Sequence, residues 1–390
     1  MAAADASTEQ IGRVPRPGEP GVAGRPTLSD RLPRAWLFPV VVFAVTWLLI
    51  LAAWYGSDAI YGHGHRWTWH FVFYDAHFYL GIAEHGYAGD PAKAVFFPLF
   101  PLLVHFTSFL TGGDYPIAGL IVSVACGAAS AVGVWALAAR VCDRWVADRA
   151  VMLYCVFPGA MAFGMLYSEP LAVALGAAAL LALLDRRWLL AGIIGALGTA
   201  ERPTLIVLVV VSGVAAFQAI WTRREWRALI APALTPLGVL AYFGYLGRRY
   251  HDYAYWFRIE NKVWGEHIDW GAHTLRVLLW LNPRDAHHKV FVVVLMIIFA
   301  AAVAGIAMML AARLPLPVSL FGMLMILLAV ISSGADTKPR YIWAAFPIFI
   351  GAAAKLPRAI YWPALILSAA GLVFLIGAWP HHVIGRWTAP

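Results

Sequence analysis

The sequence predicts an all-α protein that crosses a membrane many times, because of its composition and its long apolar segments. Of its 390 residues, 62% are hydrophobic and 13% are charged, and the mean hydropathy is +0.72. A water-soluble domain is about half apolar and a quarter charged. Lipid offers the backbone no hydrogen-bonding partners, so the apolar segments are expected to be helices.

Eleven apolar segments are expected to be transmembrane helices. Several are shorter than the ~20 residues that cross the hydrocarbon core, which suits tilted helices or helices that end at a cavity. A further segment, 96–110, is ambiguous, since it is short and Pro98 and Pro101 interrupt its start. The eleven segments lie near 36–55, 116–138, 150–167, 169–184, 188–199, 204–221, 228–246, 290–312, 316–332, 341–355 and 358–378.

Basic residues orient these segments. If 96–110 does not cross, the arginine clusters at 140–149, 186–187 and 223–227 lie on the same side as the N-terminus, and the positive-inside rule makes that side cytoplasmic. If it crosses, those clusters move outside. We therefore expect eleven spans in a protein of the cell membrane, with a cytoplasmic N-terminus. The net charge of +8 then suits lipid headgroups rather than nucleic acid.

The expected domain organisation is simple. Residues 1–34 are polar and rich in Pro, Gly and Arg, which predicts a disordered cytoplasmic tail. Residues 35–390 form one transmembrane domain, with a first outer loop at 56–95 and a second at 247–289. The aromatic and charged residues of the second loop suit sugar stacking, and they equally suit a helix at the membrane interface.

Charged motifs far apart in the sequence are predicted to meet on the outer face. These are Asp75, the turns at 167–170 and 201–203, and the segment 336–341. Ionisable groups at the edge of a bilayer are costly and are usually retained for function. We therefore expect an active site assembled from the connections between helices.

Asp75 has two interpretations. It could be a general base that takes a proton from an acceptor hydroxyl. It could also cap a juxtamembrane helix whose Phe78, Tyr79 and Ile82 are buried against lipid. Glu84 and His85, further along, could orient a substrate or could be solvated residues at a helix end.

The cations suggest a phosphate site. Arg202, Lys338 and Arg340 lie beside prolines next to apolar segments, and guanidinium groups match phosphate oxygens with paired hydrogen bonds. As an alternative, they could simply set topology. Arg202 needs a partner there, either Glu201 or a ligand phosphate. Glu169 could be a first-turn acid that the helix dipole favours.

Several other chemistries gain no support from the sequence. It has no Gly-rich phosphate loop, no paired-Cys metal site and no His-Glu-x-x-His motif. Cys126, Cys142 and Cys155 lack paired spacing and are interpreted as packing residues. We therefore expect no cofactor, and these patterns do not indicate a divalent metal.

Taken together, the motifs resemble the glycosylphosphatidylinositol mannosyltransferase 2 (PIG-V) family and its bacterial relatives, within the GT-C class of membrane glycosyltransferases. The family usually has Trp before the aspartate, where this chain has Tyr74. The Arg202 block lacks the polar-Gly continuation of eukaryotic members. The matching blocks are 75–78, 82–87, 96–101, 167–169, 199–203, 339–341 and 346–347.

The resemblance implies a GT-C-like bundle of about 11 transmembrane helices with a large first extracytoplasmic loop. It also implies a polyprenyl-phosphate-mannose donor, transfer on the extracytoplasmic face, and Asp75 as the base. The acceptor stays open among a glycolipid, a polysaccharide and a protein. The residues expected to bind substrate are His77, Glu84, His85, Tyr87, Tyr167, Glu169, Arg202, Lys338 and Arg340.

The chemistry suits these residues. The leaving group is already a phosphate, so no carboxylic acid is needed to protonate it, and one base with cations at the developing charge would suffice. A single displacement would invert the anomeric centre. Two alternatives are a transporter or flippase for a lipid-linked saccharide, which would favour internal repeats, and a degenerate scaffold subunit.

Overall fold

The computed structural model describes residues 36–61, 71–72, 74–279, 286–333 and 338–377. The predicted tail at 1–34 lies outside them. From Phe38 onward the described residues belong to one compact unit. The secondary structure of this unit is helical, apart from one isolated bridge between Ile268 and Ser332 in the described ranges.

The helices are numbered here in chain order. They are α1 Leu37–Tyr61, α2 Asp75–His85, α3 Leu99–Ser108, α4 Tyr115–Val141, α5 Arg144–Val156, α6 Glu169–Leu184, α7 Trp188–Glu201, α8 Val207–Arg223, α9 Ile230–Leu234, α10 Leu237–Tyr250, α11 Tyr255–Val263, α12 Ala272–Leu278, α13 Ala286–Ala311, α14 Leu316–Ile331, α15 Lys338–Ala344, α16 Pro347–Lys355 and α17 Arg358–Gly377. Short 3₁₀ turns lie at Pro91–Val95, Phe109–Thr111, Pro158–Gly164, Pro203–Ile206 and Trp226–Leu229.

Several helices are suited to a membrane, as the sequence predicts. Within the described ranges, five helical stretches are long and apolar enough to cross one, and α5 with the following 3₁₀ turn makes a sixth that is bent by 73°. Shorter apolar helices of 10 to 17 residues pack among them. The protein is therefore a multi-pass membrane protein, while the total of eleven spans stays a prediction.

Two predicted helices are broken by proline. The segment predicted at 341–355 is divided into α15 and α16, and the segment predicted at 150–167 ends its α-helix at Val156. Pro347 and Pro158 follow these breaks directly. Proline disfavours helical geometry in the residue before it, and Phe157 before Pro158 is extended, which accounts for the break after Val156. Pro347 has no backbone N–H to donate and begins α16, a first-turn position where none is needed.

The ambiguous segment 96–110 forms α3, a helix of ten residues. Its length is about 15 Å, half the hydrocarbon thickness. This length suits a segment that enters the membrane without crossing it.

A close approach places α15 in the bundle. Gly159 has so little room that an added Cβ would lie 2.4 Å from the Pro339 carbonyl oxygen and 2.5 Å from Cβ of Trp343. The Trp343 ring stacks on Tyr154 at 4.8 Å between centroids, and its Nε1 donates to the Tyr154 carbonyl over 2.9 Å. These contacts fix the helix that carries Arg340.

The two predicted outer loops contain helices and contact each other. Trp264, just after α11, packs its ring 5.3 Å from Phe78 of α2 and 5.6 Å from Phe96. The backbone at 267–269 pairs with 331–333 at the end of α14. The second outer segment is therefore held against α2 and lies close to the start of α15.

Candidate active site

Four chain segments meet at the ends of their helices. Asp75 is the first residue of α2 and Glu169 is the first residue of α6, while Arg202 follows the last residue of α7 and Arg340 lies in α15. Pro170 fits the first turn of α6, where no backbone N–H is needed. Arg202 is extended because Pro203 follows it. The structure brings these four residues together, as predicted, while the side of the membrane that they face stays a prediction.

Arg340 joins two carboxylates with one nitrogen. Its Nη1 lies 3.0 Å from Asp75 Oδ2 and 2.9 Å from Glu169 Oε1. Arg202 Nη1 lies 3.0 Å from the same Glu169 oxygen. The result is a chain of alternating charge that runs from Asp75 through Arg340 and Glu169 to Arg202.

Glu169 is shielded from water, whereas the other three members of this chain keep some exposure. The Glu169 side chain is 1% exposed, whereas Arg340, Arg202 and Asp75 keep 12%, 13% and 19%. Burial lowers the pKa of the Arg340 guanidinium, but Glu169 and Asp75 raise it by more, so its pKa lies well above its ordinary value. Arg340 is therefore a permanent cation next to a partly exposed Asp75, and Arg202 lies on the far side of Glu169.

Aromatic rings and hydroxyls surround the charges. The Arg340 guanidinium lies 4.7 Å from the centre of the Tyr167 ring, and that of Arg202 lies 5.7 Å from the Tyr341 ring. Such contacts favour a desolvated cation. The Tyr79 and Ser168 hydroxyls are hydrogen-bonded over 2.7 Å, and burial raises the pKa of Tyr79.

The partner of Arg202 is not Glu201, one of the two partners expected from the sequence. Arg202 pairs with Glu169. Glu201 is buried, and in the described part of the chain neither of its carboxylate oxygens accepts a hydrogen bond. Glu201 still has helical geometry whereas Arg202 is extended, so the two side chains leave the backbone in different directions.

Other predicted substrate residues lie elsewhere. His77 is exposed on α2. Glu84 and His85 are at the far end of α2, where Glu84 Oε2 lies 3.7 Å from His85 Nε2, and the helix rise places Glu84 about 14 Å from Asp75 along the axis. Tyr87 donates to the Phe96 carbonyl over 2.7 Å. Lys338 begins α15, but its side chain lies outside the described residues.

Sequence reasoning missed three residues near Asp75. Tyr79 was considered only as a lipid-facing residue, yet it is buried inside the protein. Its position one helical turn after Asp75 is the signal that could have indicated a shared face. Glu260 of α11 and Glu266 belong to the second predicted outer loop, where no sequence motif marks them as site residues. Burial, Glu266 and Asp75 raise the pKa of Glu260 to about 8.

The described residues offer no metal centre. Within the ranges that the structure covers, no group of three or more His, Cys, Asp or Glu side chains is arranged to hold a metal ion. The groups that lie closest to Asp75 and Glu169 are the two arginines.

Two solved structures share this fold, although no protein-family model and no curated protein matches the sequence. ArnT from Cupriavidus metallidurans, solved with undecaprenyl phosphate bound, aligns with a TM-score of 0.53 at 15% identity over 90% of this chain and 66% of its own. The apo oligosaccharyltransferase of Archaeoglobus fulgidus aligns with a TM-score of 0.51 at 14% identity over 89% of this chain and 56% of its own. This chain thus spans under two thirds of the length of either one.

These likenesses establish the fold. The chain has the helical membrane architecture of the GT-C glycosyltransferases, which is the fold class predicted from the sequence. The finer resemblance to glycosylphosphatidylinositol mannosyltransferase 2 stays a prediction.

Proposed function

We propose that the protein is an inverting glycosyltransferase that moves a hexose, mannose, from a polyprenyl-phosphate donor to an acceptor on the extracytoplasmic face. The observation that carries this proposal is the single Arg340 nitrogen shared by Asp75 and Glu169. Arg340, the proposed phosphate-binding cation, and Asp75, the proposed base, are thus one hydrogen bond apart. The fold shared with ArnT, whose solved structure holds undecaprenyl phosphate, supports the class of donor.

The two arginines would bind the donor phosphate. Each is largely buried and each is held by Glu169, so their positions are set before substrate arrives. Charge-assisted hydrogen bonds from arginine to phosphate are shorter and stronger than neutral ones. As the sugar–phosphate bond breaks, negative charge grows on the phosphate, and fixed cations stabilise that charge in the transition state.

Asp75 would accept the proton. The acceptor hydroxyl oxygen attacks the anomeric carbon, the bond from that carbon to the phosphate oxygen breaks, and its electron pair leaves with the polyprenyl phosphate. The hydroxyl proton passes to Asp75, the most exposed member of the charged chain. A donor phosphate that draws Arg340 toward itself would release Asp75 from its ion pair.

The experiment is a transfer assay with purified protein. Polyprenyl-phosphate mannose is supplied with a membrane extract, made from cells lacking the gene, as the source of acceptor. We expect release of polyprenyl phosphate together with a mannosylated product, and Arg340→Gln should weaken donor binding. Movement of the lipid-linked sugar across proteoliposomes without transfer would contradict the proposal and favour the transporter.

The sugar is tested in the same assay. Donors that carry glucose or galactose on the same polyprenyl phosphate are compared with mannose at equal concentration. The proposal expects mannose to give the highest kcat/KM. A higher kcat/KM for another hexose would show that mannose is not the transferred sugar, while the proposed polyprenyl-phosphate donor would stand.

A further inference from the structure

A groove lies beside the C-terminal end of α2, away from Asp75 at its first residue. Its inner part is a cavity of about 500 Å³ between α2, α3, the end of α7 and α10. Its outer part is an open depression of about 800 Å³ at the C-terminal end of α10. Ala241 and Tyr245 line both parts, so the two are continuous.

The inner part is mostly apolar, although Glu84 and His105 also lie on its wall. Ile82, Pro98, Pro101 and Leu102 line it, and small residues of α2, α7 and α10 leave the space open. A cavity of this size and lining suits one hydrocarbon chain better than a polar ligand, because binding pockets of a few hundred Å³ gain most from apolar contact. Leu102 is exposed, so the cavity opens toward the lipid that surrounds the bundle.

The outer part is basic and aromatic. Arg248 and Arg249 line it together with Tyr245 and Tyr253. Both arginines are exposed, and among the described residues no carboxylate forms an ion pair with either. Glu84 on the inner lining is half exposed and lies 3.7 Å from His85. Arg249 also lies over the Tyr250 ring, 5.7 Å from its centre. Two exposed guanidinium groups without a carboxylate partner in the described residues, above an apolar cavity, match a phosphate headgroup above its chain.

This groove is distinct from the charged chain at Asp75. Its wall from α2 begins at Ile82 and extends beyond Glu84, which lies about 14 Å from Asp75 along the helix axis. The cations also belong to different helices, since Arg340 is in α15 whereas Arg248 and Arg249 end α10. The two sites approach each other at the end of α7, where Ala200 on the inner wall lies two residues before Arg202. A donor phosphate held by Arg340 and Arg202 would leave Arg248 and Arg249 free to bind a second phosphate.

We propose that the groove binds an anionic phospholipid of the surrounding bilayer, with its phosphate on Arg248 and Arg249 and one acyl chain in the cavity. The bound lipid packs against the C-terminal half of α2, the helix that begins with Asp75. Because it binds only the folded protein, it stabilises the fold by mass action. This site does not depend on the proposed sugar transfer.

Gly244 provides a substitution that fills the groove. It lies on the lining of the outer part, and an added Cβ would meet no atom within 4 Å. Gly244→Leu should therefore occupy the entrance while the helix remains intact. Gly244→Ala is the matched control, since it adds one methyl group and improves helix propensity.

The test measures lipid retention and thermal stability. Purified protein is delipidated and incubated with phosphatidylglycerol or with phosphatidylcholine of the same acyl chains, and bound lipid is counted by native mass spectrometry. We expect one tightly held phosphatidylglycerol, a higher Tm with it than with phosphatidylcholine, and at least a tenfold loss of affinity in Arg248→Gln/Arg249→Gln. Gly244→Leu should lose the lipid and Gly244→Ala should keep it.

Three results would overturn the proposal. Equal retention of the two phospholipids would remove the role of the arginines. Unchanged retention in Gly244→Leu would place the lipid elsewhere. Displacement of phosphatidylglycerol by polyprenyl phosphate at equal concentration would assign the groove to the donor instead.

Discussion

The charged chain at the candidate site makes a quantitative prediction through Arg340. Replacing it by methionine leaves Glu169 with only Arg202 and leaves Asp75 without this ion pair. Removing one partner of a buried pair costs about 3–5 kcal/mol. Arg340 and Asp75 keep 12% and 19% exposure, so water screens part of the loss and we expect a cost of about 3 kcal/mol for Arg340→Met.

A double-mutant cycle separates the pair from the single residues. Glu169→Gln alone should cost about 2 kcal/mol, because Arg202 loses its partner while Arg340 keeps Asp75. Replacing Arg340 and Glu169 together removes one charge of each sign, so the double variant should lose about 3 kcal/mol in the free energy of unfolding. The expected coupling is then about 2 kcal/mol, within the range for residues in one network.

The measurement is the free energy of unfolding in mixed micelles of mild detergent and dodecyl sulfate, followed by tryptophan fluorescence. The control is the exposed pair of Arg140 and Asp185, 2.9 Å apart with side chains 48% and 41% exposed. Arg140→Met should cost less than about 1 kcal/mol. Additivity of Arg340→Met and Glu169→Gln within about 0.5 kcal/mol would refute the charged chain as described.

Two further predictions follow from the surroundings of the site. Gly159→Ala should destabilise the protein and lower turnover, because the new methyl group would displace Pro339 and with it the helix of Arg340. The control Gly213→Ala, whose added methyl group meets no atom within 4 Å, should change neither stability nor turnover. Equal effects of the two substitutions would contradict the close approach at Gly159. Glu260→Gln should raise Tm at pH 9 but not at pH 4. In the folded protein Glu260 keeps its proton up to about pH 8, whereas in the unfolded chain it loses the proton above about pH 4.3. The free energy of unfolding of the wild type therefore falls as pH rises between these two values. A Tm difference between Glu260→Gln and the wild type that does not depend on pH would contradict this.

The convergence of the charged motifs could be predicted from the sequence because it depends only on which side of the membrane each connection reaches. Asp75, Glu169, Arg202 and Arg340 each lie at or near a helix end, and alternating helices bring such ends together. The choice of Glu169 rather than Glu201 as the partner of Arg202 could not be predicted. It depends on side-chain directions at the break before Pro203, which topology leaves undefined.

Three predicted substrate residues lie outside the charged chain. Glu84, His85 and Tyr87 belong to the sequence block that follows that of Asp75, and the rise of α2 places Glu84 about 14 Å from Asp75 along the helix axis. Their role in substrate binding stays a prediction. Glu84 and Tyr87 line the groove of the proposed phospholipid. Tyr79 was considered as a lipid-facing residue because periodicity identifies one face of a helix but not what covers it.

The central claim is that Asp75 is the base, and Asp75→Asn tests it most directly. The amide keeps the size of the carboxylate and can still accept a hydrogen bond from Arg340, so folding and donor binding should be retained. Positioned general bases contribute about 10²–10⁴ in rate. We expect purified Asp75→Asn to bind polyprenyl-phosphate mannose with an unchanged Kd and to have a kcat at least a hundredfold below that of the wild type. A kcat near that of the wild type, with intact donor binding, would contradict the assignment of Asp75 as the base.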